Sequence, residues 1–296
     1  MSIPGTFMEE ELYSQPEMWA RVLDLDTSVL PKDGDKVVVI GCGTSWFMAE
    51  AYAKLREGLG KGVTDAFTAT EVSTARDYDA AIVITRSGTT SEIIDYLRRV
   101  GDSIPTIALL GDVNTPVAEL AGHVVNLSFA DEKSVVQTRF ATTALTFLRS
   151  SLVGREVIEK SIEDAKKVLA TTPADELVNA EQYSFLGTGW IIGLATEAAL
   201  KMRESCQAWT ESYNSMEYRH GPIAIAAPGR VTWQLGDSPE GLPAQVDATG
   251  ALYVDEDLDP MAALVKVHQV ALLTSRARGL DADNPRNLTR SVILDQ

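Results

Sequence analysis

Apolar positions along the chain follow two alternating rhythms. Short unbroken runs at Val37-Val38-Val39-Ile40 and Ala80 to Ile84 predict buried strands, the second covered on both faces, and Thr106 to Leu110, His123 to Leu127 and Tyr183 to Leu186 predict further strands. Val63 to Glu71, Val231 to Leu235 and Ala251 to Val254 predict three more strands. Between them the apolar residues recur at helical spacing: Trp46 to Glu57, Ser91 to Leu97, a short piece after Pro116, Ser134 to Leu152, Glu156 to Leu169, Ile192 to Ala208 and Ala262 to Arg276. Thr6 to Leu25 also has helical spacing, with Pro16 expected to break it in two.

Alternating strands and helices predict an α/β fold with doubly wound parallel sheets. Strand, glycine turn and helix follow one another at Gly41 to Ser45, at Thr85 to Thr90 and again at Gly187 to Gly189, and Thr171 to Asp175 is a polar break. The expected organisation is a helical arm over residues 1–30, one α/β subdomain over 31–170 and a second over 171–296. No sequence repeat is strong enough to demonstrate duplication.

Candidate chemistry collects where strands give way to helices. After Ala80 to Ile84 come Thr85-Arg86-Ser87-Gly88-Thr89-Thr90, and open α/β sheets bind ligands at such junctions. Converging hydroxyls, a free-curling glycine and a helix N-terminus suit an oxyanion, and Arg86 adds a full charge; the same residues also suit an ordinary capped turn. Glu197, Lys201 and Glu204 fall at i, i+4 and i+7, on one helix face, which reads either as a solvated ion-pair stripe or as two carboxylates and an ammonium in a site. Met216 to Pro222 packs Glu217, Arg219 and His220 into a turn ahead of the apolar Ile223 to Ala227, expected to be core. Of the three histidines, His123 and His268 lie in a predicted strand and helix, leaving His220 with chemical freedom as a proton carrier or as a turn residue. No histidine pair has metal-ligand spacing, and neither glycine turn completes GxGxxG, which disfavours a metal site and a dinucleotide dehydrogenase.

Charge and cysteine content narrow the classes. A formal net charge of -16 over 296 residues opposes nucleic-acid and anionic-membrane partners, so any anion site has to be local. Two cysteines, Cys42 and Cys206, are too few for a disulfide framework and fit a reducing cytoplasm. The N-terminus shows no basic-then-apolar leader and no run of about 20 apolar residues occurs, so a soluble, unprocessed chain is expected.

Taken together, Gly41-Cys42-Gly43-Thr44-Ser45, Ser87-Gly88-Thr89-Thr90, the Glu197 to Glu204 stripe, Arg219-His220-Gly221-Pro222 and Asn284-Pro285-Arg286-Asn287-Leu288-Thr289 resemble the SIS (sugar isomerase) family. The likeness is greatest to the isomerase domain of glucosamine-6-phosphate synthase and to stand-alone amino-sugar phosphate deaminases and deglycases. It implies two SIS subdomains of flavodoxin-like type and a phosphosugar site lined by Ser45, Thr85, Arg86, Ser87 and Thr90. It further implies that Glu204 is the base moving a proton between C1 and C2, that Lys201 orients it or contacts the sugar, and that His220 of a neighbouring subunit helps open the ring. Val135 and Gln137 match a loop that closes on the sugar. Such an enediol or enolamine route needs a placed carboxylate and a proton shuttle but no redox cofactor. The implied assembly is a homodimer with a shared active site.

Departures from the family pattern set further expectations. The glutamine-hydrolysing half of the synthase has no counterpart in the sequence, Arg290 stands where the synthase has a catalytic lysine, and Arg86 where it has glutamine. Arginine cannot form an imine but can grip a phosphate or a sulfonate. The leading expectation is an aldose-ketose isomerase of a sugar phosphate or an amino-sugar phosphate deaminase. The alternatives are an isomerase of a sulfonated sugar and a non-catalytic regulator that binds a sugar phosphate.

Overall fold

The computed structural model describes residues 3–73 and 75–294. In chain order the elements are α1 (Thr6–Val22), β1 (Val37–Gly41), α2 (Thr44–Gly58), β2 (Thr64–Thr68), β3 (Ala80–Thr85), α3 (Ser91–Val100), β4 (Thr106–Leu110), α4 (Pro116–Leu120), β5 (His123–Asn126), α5 (Arg139–Ser150), α6 (Arg155–Leu169), α7 (Asp175–Val178), β6 (Gln182–Gly187), α8 (Ile191–Cys206), β7 (Trp209–Asn214), β8 (Arg230–Gln234), α9 (Leu242–Asp247), β9 (Leu252–Val254) and α10 (Pro260–Ala277). They form two compact units. One comprises residues 17–132, 139–158 and 288–296, the other 1–16, 133–138 and 159–287.

The first unit is built on a parallel sheet of order β2-β1-β3-β4-β5. Every residue of β1, β3 and β4 is buried, as the unbroken apolar runs predict for strands covered on both faces. Val38, Ile40, Ala81, Val83, Ala108 and Leu110 turn to one face, where Ile93 and Leu97 of α3 and Val117 of α4 pack on them. The intervening residues, Val37, Val39 and Ile82, turn the other way. Because the order reverses between β1 and β3, the carboxyl ends of those two strands open a crevice.

The second unit repeats the winding, with a parallel sheet of order β7-β6-β8-β9. Numbered within its own unit this is 2-1-3-4, the same order as the first four strands of the other sheet. Helix α8 packs on β6, β7 and α10, while Leu186, Tyr218, Leu242, Val246 and Ala251 form a buried hydrophobic cluster. Two parallel sheets, each flanked by helices, match the fold class expected from the sequence.

Several elements differ from expectation for identifiable reasons. Pro16 does not break α1, which runs unbroken from Thr6 to Val22. A proline inside a helix costs about 3 kcal/mol, whereas Met8, Leu12 and Trp19 are fully buried, each contributing roughly 1.5–3 kcal/mol. Helix α5 starts at Arg139 instead of Ser134 because backbone N–H groups before it are held elsewhere: Ser134 donates to Glu11 and Val135 to the carbonyl of Asp283. Strand β7, WTESYN, lies at a sheet edge with its residues only partly buried and carries no apolar run to announce it. Ile223 to Ala227 is not core; Pro222–Ile225 forms a short 3-10 turn of partly buried and exposed residues behind Gly221, whose φ of 130° ends the previous turn.

Candidate active site

In the first unit the residues expected to line an anion site sit at the crevice between β1 and β3. Ser45 lies in the first turn of α2, directly after β1, and is buried. The loop after β3 curls at Gly88, whose φ of 62° suits glycine and where a Cβ would run into the Thr115 side chain. The curl is pinned by Gly88 N–H donating to Thr85 Oγ1 at 3.3 Å and by Thr89 N–H donating to Ser87 Oγ at 3.3 Å. Thr90 then precedes α3 as its N-cap residue.

The hydroxyls do converge, and the atom at their focus comes from the end of the chain. Ser291 Oγ accepts from Ser87 Oγ at 3.2 Å and from Thr89 Oγ1 at 3.0 Å, and lies 3.4 Å from Thr90 Oγ1. Ser91 N–H, in the first turn of α3, donates to the Val292 carbonyl at 3.2 Å, and Leu294 N–H returns a bond to Ser91 Oγ at 2.9 Å.

Arg86 is buried with Glu132, their side chains 1% and 0% exposed and 3.3 Å apart. Its other terminal nitrogen donates to the Arg290 carbonyl at 3.1 Å. Glu132 is fixed in turn by Arg139 N–H at 2.7 Å. The Arg290 side chain bonds Asp131 Oδ1 at 2.5 Å and the Glu132 carbonyl. Thr85, Arg86, Ser87, Thr90 and Arg290 thus belong to one hydrogen-bonded cluster, with Ser45 on the neighbouring strand end.

Cys42, in the glycine turn after β1, has its thiol pushed up chiefly by burial, with the Glu92 charge adding to it, so it is not poised as a thiolate.

In the second unit the Glu197, Lys201 and Glu204 stripe of α8 is not a solvated face. Lys201 Nζ, with a side chain 0% exposed, lies 3.2 Å from Glu197 Oε1, 1% exposed, and 2.9 Å from Glu204 Oε2, 20% exposed. A buried ammonium between two carboxylates aims the one that still meets solvent. Behind Lys201, on α10, His268 is fully buried; burial and then the Lys201 charge hold its pKa well below the ordinary histidine value, so the imidazole is neutral. His268 Nδ1 lies 3.3 Å from Gln15 Nε2 on α1.

Val135 and Gln137 occupy the loop before α5, and that loop is held by Glu11. Its buried carboxylate accepts from Lys133 N–H at 2.5 Å, from Ser134 N–H at 3.2 Å and from Ser134 Oγ. Gln137 Oε1 is buried and has no hydrogen-bond partner among the described residues, so it is available to a ligand donor. His220 closes the 3-10 turn Glu217–His220 after β7 and is exposed, with no hydrogen bond or ion pair to the Lys201 group among the described residues.

Three participants escaped the sequence reading: Ser291, Glu132 and Glu11. Only Glu11 left a trace, as an acidic residue on the otherwise apolar stripe of Met8, Leu12 and Trp19. Among the described residues no group of three or more His, Cys, Asp or Glu side chains stands where it could hold a metal ion, and no helix is long and apolar enough to cross a membrane.

This arrangement has known counterparts. Residues 32–153, which contain the first sheet, match the family model described as SIS domain. That stretch, less than half of the chain, is similar to the SIS-domain family. The chain is 26% identical to the glutamine–fructose-6-phosphate aminotransferase (isomerizing) of Methanothermobacter thermautotrophicus, across 98% of its own length and 58% of the relative's. It is 27% identical to the corresponding aminotransferase of Nostoc sp., across 89% and 52%. The chain therefore spans little more than half the length of these curated relatives.

Among solved structures, glucosamine-6-phosphate deaminase from Thermotoga maritima aligns with a TM-score of 0.82 at 22% identity, covering 98% of this chain and 100% of that one. Tagatose-6-phosphate ketose/aldose isomerase from Escherichia coli aligns with a TM-score of 0.77 at 19% identity, covering 98% and 96%. These likenesses show that the chain shares its fold with both structures.

Proposed function

We propose that this chain is a sugar-phosphate aldose-ketose isomerase or an amino-sugar phosphate deaminase that works by proton transfer between C1 and C2. The observation that carries the proposal is the α8 triad: a partly exposed Glu204 carboxylate aimed by a buried Lys201, which Glu197 holds from the other side. A carboxylate so placed abstracts a proton from one carbon and returns it to the next, and removal of such a base lowers turnover about 10²–10⁴-fold. The names of the aligned structures, a glucosamine-6-phosphate deaminase and a tagatose-6-phosphate ketose/aldose isomerase, support the same two reactions.

In this reading the hydroxyls of Ser45, Thr85, Ser87 and Thr90 receive the substrate's anionic group, and Gln137 and Val135 contact the sugar. The exposed His220 serves ring opening from a second copy in a homodimer. Arg290, paired with Asp131, anchors the terminal segment and forms no imine. Free Cys42 and Cys206 suit a reducing compartment such as the cytoplasm.

The test is incubation with glucosamine 6-phosphate, following ammonia and ketose in parallel, and with fructose 6-phosphate, following aldose. Ammonia release or aldose formation, lost in Glu204→Gln, is the expected result. Binding of these sugars without any conversion would contradict the proposal and leave a non-catalytic sugar-phosphate binder.

A further inference from the structure

We infer that Arg86 is a positioning residue for the segment 288–294 instead of an anion ligand, and that Ser291, seated by that segment, competes with the substrate's anionic group for the hydroxyls of Ser87, Thr89 and Thr90. The inference rests on the reading of the loop after β3 as an anion site, and it reverses the role that an arginine in such a loop ordinarily takes.

Three observations carry it. First, the charge of Arg86 is already balanced. Glu132 lies 3.3 Å away with a fully buried side chain, and Arg139 N–H fixes the other carboxylate oxygen, so Glu132 does not swing aside to yield the guanidinium to a ligand. An anion brought to Arg86 would meet that carboxylate as well.

Second, Arg86 holds the backbone of the terminal segment through the Arg290 carbonyl at 3.1 Å, while the Arg290 side chain closes a second clasp on Asp131 and the Glu132 carbonyl. Both clasps hold Arg290, the residue that precedes Ser291.

Third, Ser291 Oγ stands within 3.0–3.4 Å of three loop hydroxyls. An anion oxygen accepting from the same three hydroxyls would need that position. Ser91 N–H, a helix-start donor suited to an anion, is likewise engaged by the Val292 carbonyl. A ligand that binds only when this seat is vacant has its dissociation constant raised by the inverse of the vacant fraction.

The signs of the consequences separate the two roles. The experiment titrates the full-length protein with inorganic phosphate by calorimetry and follows amide hydrogen exchange of residues 290–294. Ser291→Ala, which leaves the buried ion pair intact, should bind phosphate about fivefold more tightly, the worth of one net hydrogen bond. Arg86→Gln combined with Glu132→Gln, which strands no buried charge, should also tighten binding and should speed exchange at 290–294.

Weaker phosphate binding in the double variant with unchanged exchange would make Arg86 an anion ligand and overturn the inference. Weaker binding in Ser291→Ala would make Ser291 a ligand and do the same. Absence of phosphate binding in the wild type and both variants would instead remove the anion reading itself, and the competition with it.

Discussion

Replacing Lys201 with methionine keeps the length of the side chain and deletes the charge between Glu197 and Glu204. At 3.2 Å from Glu197, with both side chains essentially unexposed, the gross attraction is about 5 kcal/mol at an effective dielectric constant of about 20. Breaking a buried pair by removing one partner costs about 3–5 kcal/mol, because the remaining charge stays in a poorly solvated place. Urea unfolding near neutral pH should show that loss in Lys201→Met, and adding Glu197→Gln should restore much of it. Turnover should remain low in the double variant, since Glu204 has lost the group that aims it. A loss below about 1 kcal/mol, the range of an exposed ion pair, would refute the buried-triad account.

Other consequences follow from the same coordinates. His268 is neutral in the fold, whereas an unfolded histidine takes up a proton below about pH 6.5. The unfolded state therefore binds more protons as the pH falls, and stability should decline by up to about 2 kcal/mol between about pH 7 and pH 5. His268→Gln should remove that component, so urea midpoints of the two proteins measured across this range should differ in slope; parallel slopes would count against it. Glu11→Gln places an amide donor against Ser134 and should cost about 1–3 kcal/mol while raising KM for the sugar more than it lowers kcat; equal kinetics at unchanged fold would deny Glu11 its hold on the Gln137 loop. Gly88→Ala forces a left-handed backbone and a collision with Thr115, about 2–4 kcal/mol in total, and should abolish phosphate binding in calorimetry even where the protein remains folded.

Much of this molecule is legible in its sequence because strands buried on both faces write themselves as unbroken apolar runs. Val37 to Ile40 and Ala80 to Ile84 are such strands, and the hydroxyl loop and the α8 stripe lie in the helices and turns that follow such runs. Edge strand β7, partly exposed, had no such signature. The burial of Lys201 was also invisible: its spacing with Glu197 and Glu204 fits a wet surface equally well, and it is the tertiary packing of α8 against β6, β7 and α10 that buries it. Arg86 illustrates a different limit. Its partners Glu132 and Arg290 are 46 and 204 residues away, and no local pattern links positions so distant.

The most direct measurement of the central claim is solvent deuterium incorporation at C1 and C2 of fructose 6-phosphate or glucosamine 6-phosphate, followed by proton NMR with wild type and Glu204→Gln. The account predicts incorporation with the wild type and a rate at least about 10²-fold lower in the variant. Incorporation by Glu204→Gln at the wild-type rate would contradict it.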